Sequence, residues 1–201
     1  MTAIDIFSRP SLAKVLPYIL LIGSLIGLLA AFVLTYDKIQ VLQDSSYIPS
    51  CNINPVLSCG SVMEKPQASL FGVPNTIFGL MGFSVLATLS ALLIMGVKLP
   101  RRVWQGIQLG VIGGMIFTLY LFFQGVFRIG AICPFCFLIW ITMPVMFWYT
   151  TLYNLKNKHV SAPAKVRNFL IDHHLDILIL WYLIFFGILL QHFWYYWSTL
   201  I

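Results

Sequence analysis

Five stretches of mostly apolar residues, each closed by polar or Pro/Gly-rich sequence, leave this chain few ways to fold. They run approximately from Val15 to Tyr36, Pro74 to Val97, Trp104 to Phe127, Cys133 to Tyr153 and Leu175 to Trp197. The hydrocarbon core of a bilayer needs about 20 apolar residues per helix. Lipid offers the backbone no hydrogen-bond partners, so each span must pair its own N–H and C=O groups as a helix. These stretches occupy most of the 201 residues, of which 60% are hydrophobic and only 9% charged, against roughly 25% charged in a soluble domain. The expected class is therefore all-α integral membrane. Arg9 and Lys14 precede the first run in the manner of a secretion signal, but the run is too long and lacks a small-x-small cleavage site, so a retained helix is expected.

The net charge of +6 would suggest nucleic acid in a soluble protein, but here the charges follow topology. With the N-terminus inside, the inner segments carry Arg9, Lys14, Lys98, Arg101, Arg102, Lys156, Lys158, Lys165 and Arg167, and the outer ones only Lys38, Lys65 and Arg128. That asymmetry obeys the positive-inside rule. Trp194, Tyr195, Tyr196 and Trp197 read as an interfacial belt. No basic run outside a span is interleaved with stacking aromatics, so nucleic acid is not an expected partner, whereas membrane lipid is.

Two connections are substantial: an outer loop over residues 37–73, and an inner one from Asn154 to about His174. Pro49, Pro55, Gly60, Pro66 and Gly72 give the outer loop the turns of an ordered cap, and the segment around Ala68, Leu70 and Phe71 suits a short amphipathic helix on the membrane surface. Gly23 and Gly27, and Gly106, Gly110 and Gly114, recur at four-residue spacing, which suits close helix packing. A cofactor needing close backbone approach is the alternative. No ionisable side chain lies deep in a span, which argues against an ion-coupled transporter. Gln108 and Gln124 read as interhelical hydrogen-bonding groups. His159, His173, His174 and His192 form no ligand set, and no metal site is expected.

The four cysteines fall as two pairs, Cys51 with Cys59 in the outer loop and Cys133 with Cys136 at the start of the fourth span. Counting helices places both pairs at one membrane face, the oxidising one if the N-terminus is inside. In Cys133-Pro134-Phe135-Cys136, proline suits the first helical position, and the positive helix end and nearby Arg128 favour thiolate. One helical turn brings Cys133 and Cys136 together. Static disulfides, a four-thiol zinc site and buried thiols acting as small hydrophobes are the competing readings. The spacing of Cys51 and Cys59 is unlike a zinc knuckle, and a multi-helix membrane bundle has little need of staples.

The ordered run Cys51, Asn54-Pro55, Cys59-Gly60-Ser61-Val62-Met63, Phe71-Gly72-Val73-Pro74-Asn75-Thr76-Ile77-Phe78-Gly79 and Cys133-Pro134-Phe135-Cys136 resembles the vitamin K epoxide reductase family, particularly bacterial members that couple periplasmic disulfide formation to quinone reduction. The resemblance spans Cys51 to Trp140, and the helix count extends it over the first to fifth spans. It implies a four-helix bundle around a quinone, either ubiquinone or menaquinone, over residues 1–153. Residues 154–201 add a cytoplasmic loop and a fifth transmembrane helix. It implies Cys133 and Cys136 as the active-site pair, Cys51 and Cys59 as the shuttle, Cys59 attacking Cys133 as the exchange step, and Cys136 as the thiolate facing quinone.

Asn75 aligns with a quinone-contacting residue of the family, although asparagine before a helix is also a favoured N-cap. Phe78, Met63 and Trp140 are the expected pocket walls. Some bacterial relatives continue into a fused thioredoxin-like domain; this chain stops at Ile201, so a separate periplasmic thioredoxin-like or DsbA-like partner is expected, at a bacterial inner membrane. Two residues depart from the pattern: Lys65 stands where the family usually has Ser or Thr, and Trp140 where animal relatives have a quinone-contacting Tyr. Tryptophan cannot serve as a phenolic acid, so reduction of an epoxide is not expected. The rival enzyme is a DsbB-type quinone reductase, which places its CxxC in the first outer loop, the reverse of the order here. The rival outside enzymology is a membrane scaffold with structural disulfides.

Overall fold

The computed structural model describes residues 11–198 except Ser45, Pro55 and Phe71. Arg9, Pro55 and Phe71, invoked above, lie outside the described residues. The architecture is all-helical: α1 (Ser11–Gln43), α2 (Cys59–Met63), a 3₁₀ turn (Pro66–Ala68), α3 (Asn75–Ile94), α4 (Arg101–Phe123), a π-helical turn (Gln124–Ile129), α5 (Pro134–Lys156), α6 (Ala164–Asp172), α7 (His174–His192) and α8 (Trp194–Trp197). Five of these helices are long and apolar enough to cross a membrane: α1, α3, α4 continued by the π turn, α5 and α7. Proline sits immediately before α3, α4 and α6 and at the first position of α5, where its fixed φ is pre-set for a helix and its missing N–H costs nothing.

Several boundaries differ from the sequence reading. α1 runs on to Gln43, so residues 37–43 are helical where the loop was expected to begin. The segment around Ala68 and Leu70 forms only the 3₁₀ turn, not an amphipathic helix; the helix of this loop is α2, seeded by the Ser58 cap. The inner connection contains α6, and the last span breaks at Phe193 before α8. The third span ends in a wide π turn, with the N–H groups of Gly130 and Ala131 both reaching the Gly125 carbonyl.

α1 packs between α3 and α5, and α5 against α4, while α3 and α4 scarcely touch. Leu16, Leu20, Trp104, Val111, Met146 and Leu152 form the main core. The glycines divide by role. A Cβ on Gly23 would meet the Met146 sulfur at 2.6 Å, and one on Gly27 the Phe83 ring at 2.5 Å, so both permit close packing. Gly106 and Gly110 have nothing within 4 Å of a built Cβ and instead line a cavity. For those two the helix-packing reading is corrected, because the space they leave is empty of protein.

Gln108 does bond between helices: its amide donates to the Thr151 hydroxyl (3.0 Å) and its carbonyl accepts from Asn154 (2.9 Å). Gln124 opens the π turn and lines the cavity. α7 lies beside α5, where Phe185, Leu189 and Phe193 pack with Val126, Ile132 and Trp140. The Tyr182 hydroxyl adds a bond to the Ile141 carbonyl.

Gly27→Ala should lower the melting temperature in detergent by the equivalent of about 1–3 kcal/mol, the range for overpacked cores. Gly106→Ala, with open space at its Cβ, should leave it unchanged or slightly raised. Thermal unfolding of the two variants side by side measures both.

Candidate functional site

The site is assembled by a backbone clamp. Leu57 and Ile132 form a parallel bridge, in which the Ile132 N–H donates to the Val56 carbonyl (2.7 Å) and the Ser58 N–H to the Ile132 carbonyl (3.1 Å). The loop is shaped to offer this edge. Asn54 accepts from the N–H groups of Val56 (3.0 Å) and Leu57 (2.8 Å) through one side-chain oxygen, and its amide donates to the Tyr196 hydroxyl (3.0 Å), tying α8 to the loop. Directly after the bridge, Ser58 caps α2 by accepting from the Ser61 N–H (3.1 Å), a favoured capping arrangement. The Asn52 side-chain oxygen receives the Ser58 hydroxyl (3.1 Å) and the Gly60 N–H (2.8 Å). A Cβ on Gly60 would lie 2.7 Å from the Asn52 amide and would have to displace it.

The clamp fixes Cys59 against Cys133. Cys51 and Cys59 form a disulfide with their Cα atoms 5.6 Å apart, while Cys133 and Cys136 are free thiols. The Cys59 and Cys133 sulfurs approach to 3.3 Å, and the Cys136 N–H donates to the Cys133 sulfur (3.4 Å). Four sulfurs thus lie in sequence from the loop to the start of α5. Cys51 is 6% exposed, Cys59 0% and Cys133 2%, with Cys136 half-buried. Cys133, the N-cap one residue ahead of the span, is lowered from the ordinary thiol pKa, chiefly by its hydrogen bond with the Cys136 thiol and further by the Cys136 and Phe135 amides, against burial and the charge of Asp37, which raise it.

Asp37 was invisible as a site residue in the sequence, where it marked the expected start of a loop. The extension of α1 makes it a buried acid, 2% exposed. One of its oxygens accepts from the Tyr47 hydroxyl (2.9 Å) and the other lies 3.8 Å from the Cys51 sulfur. The only sequence signal was Asp37 itself, the one acid immediately following the first apolar run.

Behind the sulfurs, α3 and α4 part around a cavity of about 810 Å³. Cys59, Cys133 and Cys136 line one region of it, and Met63, Asn75, Phe78 and Trp140 line it too; Cys51 does not. The Asn75 side chain is not an N-cap, a position held by Pro74. Its oxygen accepts from the Leu70 N–H (3.0 Å) and its amide donates to the Gln67 carbonyl (2.6 Å), pinning the 3₁₀ turn over the cavity. The second amide hydrogen is used in neither of these bonds. Trp140 is buried edge-on against Phe122, with ring centroids 5.1 Å apart, and Gly125 makes room for its far edge. Lys65 is exposed and does not line the cavity, and the nearby Lys38 ammonium caps the Met63 carbonyl (2.8 Å). The mostly apolar lining, with thiols at one place and an amide at another, suits a flat ring bearing oxygen, and the volume falls within the roughly 300–1,000 Å³ of small-molecule pockets.

The model of the vitamin K epoxide reductase family matches residues 18–151 of the sequence. No curated protein registers as a match. The matched segment spans α1 to α5 and holds all four cysteines, the bridge and the cavity. The chain therefore belongs to the vitamin K epoxide reductase family, and is a multi-pass membrane oxidoreductase of the kind that couples thiols to quinone.

Proposed function

We propose that this protein reoxidises a separate periplasmic thioredoxin-like or DsbA-like partner and passes the electrons through Cys51, Cys59, Cys133 and Cys136 to ubiquinone or menaquinone, supporting disulfide formation. The observation that carries this reading is the 3.3 Å approach of Cys59 to Cys133 at the lip of the apolar cavity. A disulfide sulfur and a free thiol at that separation are a pair arranged for exchange. A scaffold held by static disulfides has no use for two free thiols beside a third sulfur. The order of the pairs, spaced cysteines before CxxC, is the reverse of the DsbB arrangement.

The reaction divides into two exchanges. The partner dithiol reduces the Cys51–Cys59 disulfide and leaves as a disulfide. Cys59 then attacks Cys133 of an oxidised Cys133–Cys136 pair, Cys136 leaves as thiolate, and Cys51 attacks Cys59 to release Cys133. The bridge at Leu57 and Ile132 holds the two reacting sulfurs in register through both exchanges. The cavity lined by Cys136 would hold a quinone, which would supply the acceptor for two electrons and two protons. Asn75 donates toward a ligand oxygen, where a fixed donor stabilises developing charge. Met63, Phe78 and Trp140 hold the ring and exclude water.

Residues 1–153 form the catalytic unit in this reading, and residues 154–201 contribute the inner loop and a fifth helix that backs Trp140. The excess of basic residues in segments away from the cysteines favours an N-terminus in the cytoplasm of a bacterial inner membrane, with the sulfurs on the periplasmic side.

Two measurements bear on this. In detergent, with a reduced thioredoxin-like substrate, the parent should reduce quinone. Cys136→Ala should abolish turnover, and Cys51→Ala should lose the protein substrate yet keep a small dithiol. Equal behaviour of all three removes the relay. Separately, the double variant Cys51→Ser/Cys136→Ser should form a Cys59–Cys133 disulfide on mild oxidation, seen by mass spectrometry. Its absence would mean that the two sulfurs do not meet in solution.

A further inference from the structure

Asp37 is buried at 2% exposure, and its two oxygens face the Tyr47 hydroxyl and the Cys51 sulfur. The neighbouring Lys38 ammonium turns instead to the Met63 carbonyl. A carboxylate taken out of water is costly unless its oxygens are well supplied with donors. In the oxidised shuttle Tyr47 is the donor to Asp37 among the described residues, since a disulfide sulfur carries no hydrogen; the reduced Cys51 thiol would supply another. Tyr47 is raised from its ordinary pKa, first by its hydrogen bond to Asp37, and so stays a donor throughout. The other thiol within the reach of Asp37's field is Cys133, whose ionisation its charge opposes.

We propose that Asp37 carries the proton of Cys51 through the shuttle cycle. The inference rests on the relay direction proposed above. When Cys59 is joined to Cys133, the Cys51 thiol gives its proton to Asp37 as its sulfur attacks Cys59. The Cys51–Cys59 bond forms, the Cys59–Cys133 bond breaks, and Cys133 leaves with the electron pair. In the next half-cycle the second thiolate of the partner attacks the sulfur that the partner has bonded to Cys51. Cys51 leaves with the electron pair and takes the proton back from Asp37. Asp37 ends each cycle in the state in which it began, and no outside oxidant or reductant is needed beyond partner and quinone. Asparagine could replace Asp37 as the acceptor for Tyr47 but could not accept the proton.

The test uses the full chain, fully reduced, mixed in detergent with two equivalents of a soluble short-chain quinone and no protein partner, then quenched in acid, alkylated and mapped by mass spectrometry. The parent should pass quickly to the Cys51–Cys59 disulfide. Asp37→Asn should accumulate the Cys59–Cys133 species, with its resolution slowed on the order of 10²-fold, the lower range for loss of a positioned base. Asp37→Glu should recover part of the rate. An Asp37→Asn protein that resolves at the parental rate overturns the proposal. So does one that slows without accumulating Cys59–Cys133, because a merely structural defect would slow every step alike. If the parent itself never forms Cys51–Cys59 after quinone, it is the relay reading that fails, and Asp37 falls with it.

Discussion

The arrangement depends on two backbone hydrogen bonds, those that pair Val56 and Ser58 with Ile132. Each contributes only about 1 kcal/mol net, but they join segments more than seventy residues apart in the chain and fix them at single-residue register. Shifting the pairing by one position would turn the cysteines away from one another, since successive side chains along an extended segment point to opposite sides. Both flanks are prepared for it. On one side Asn54 bends the loop and Ser58 starts α2 immediately, so Cys59 emerges at a helix N-terminus. On the other, the π turn ends at Gly130 in the left-handed region, with φ of 71°, which drops the chain into the extended segment that carries Ile132 to Cys133. A non-glycine residue is disfavoured there.

Much of this was legible in the sequence, for identifiable reasons. Spans must be long and apolar, so the existence and order of α1, α3, α4, α5 and α7 could be read, and the cysteine pairs announced themselves by topology and by the Cys133-Pro134-Phe135-Cys136 run. Ends were harder to read because hydropathy marks where lipid stops, not where the helix stops. α1 continues two turns past Tyr36 into the cap, and that continuation makes a surface-looking Asp37 into a buried neighbour of Cys51. The glycines failed differently. Gly23, Gly27, Gly106 and Gly110 share one spacing, yet the first pair faces side chains and the second pair faces a void. Sequence spacing reports which residues share a helix face, and tertiary structure alone decides what lies opposite.

Asn75 does a task that its place in the sequence did not foretell. Its oxygen and one amide hydrogen secure the turn at Gln67 and Leu70, a structural task. The same side chain lines the cavity. α7 backs the same wall from outside, because Phe185 packs in one cluster with Trp140.

The near-complete burial of the Cys51–Cys59 disulfide makes it an insulated contact. A freely diffusing thiol of the surroundings meets loop side chains before it meets sulfur, so an abundant small reductant is hindered from delivering electrons to it at random. Where a reducible bond is shielded in this way, selectivity resides in access and in rate, and an oxidant can persist near abundant reductants without being discharged by them.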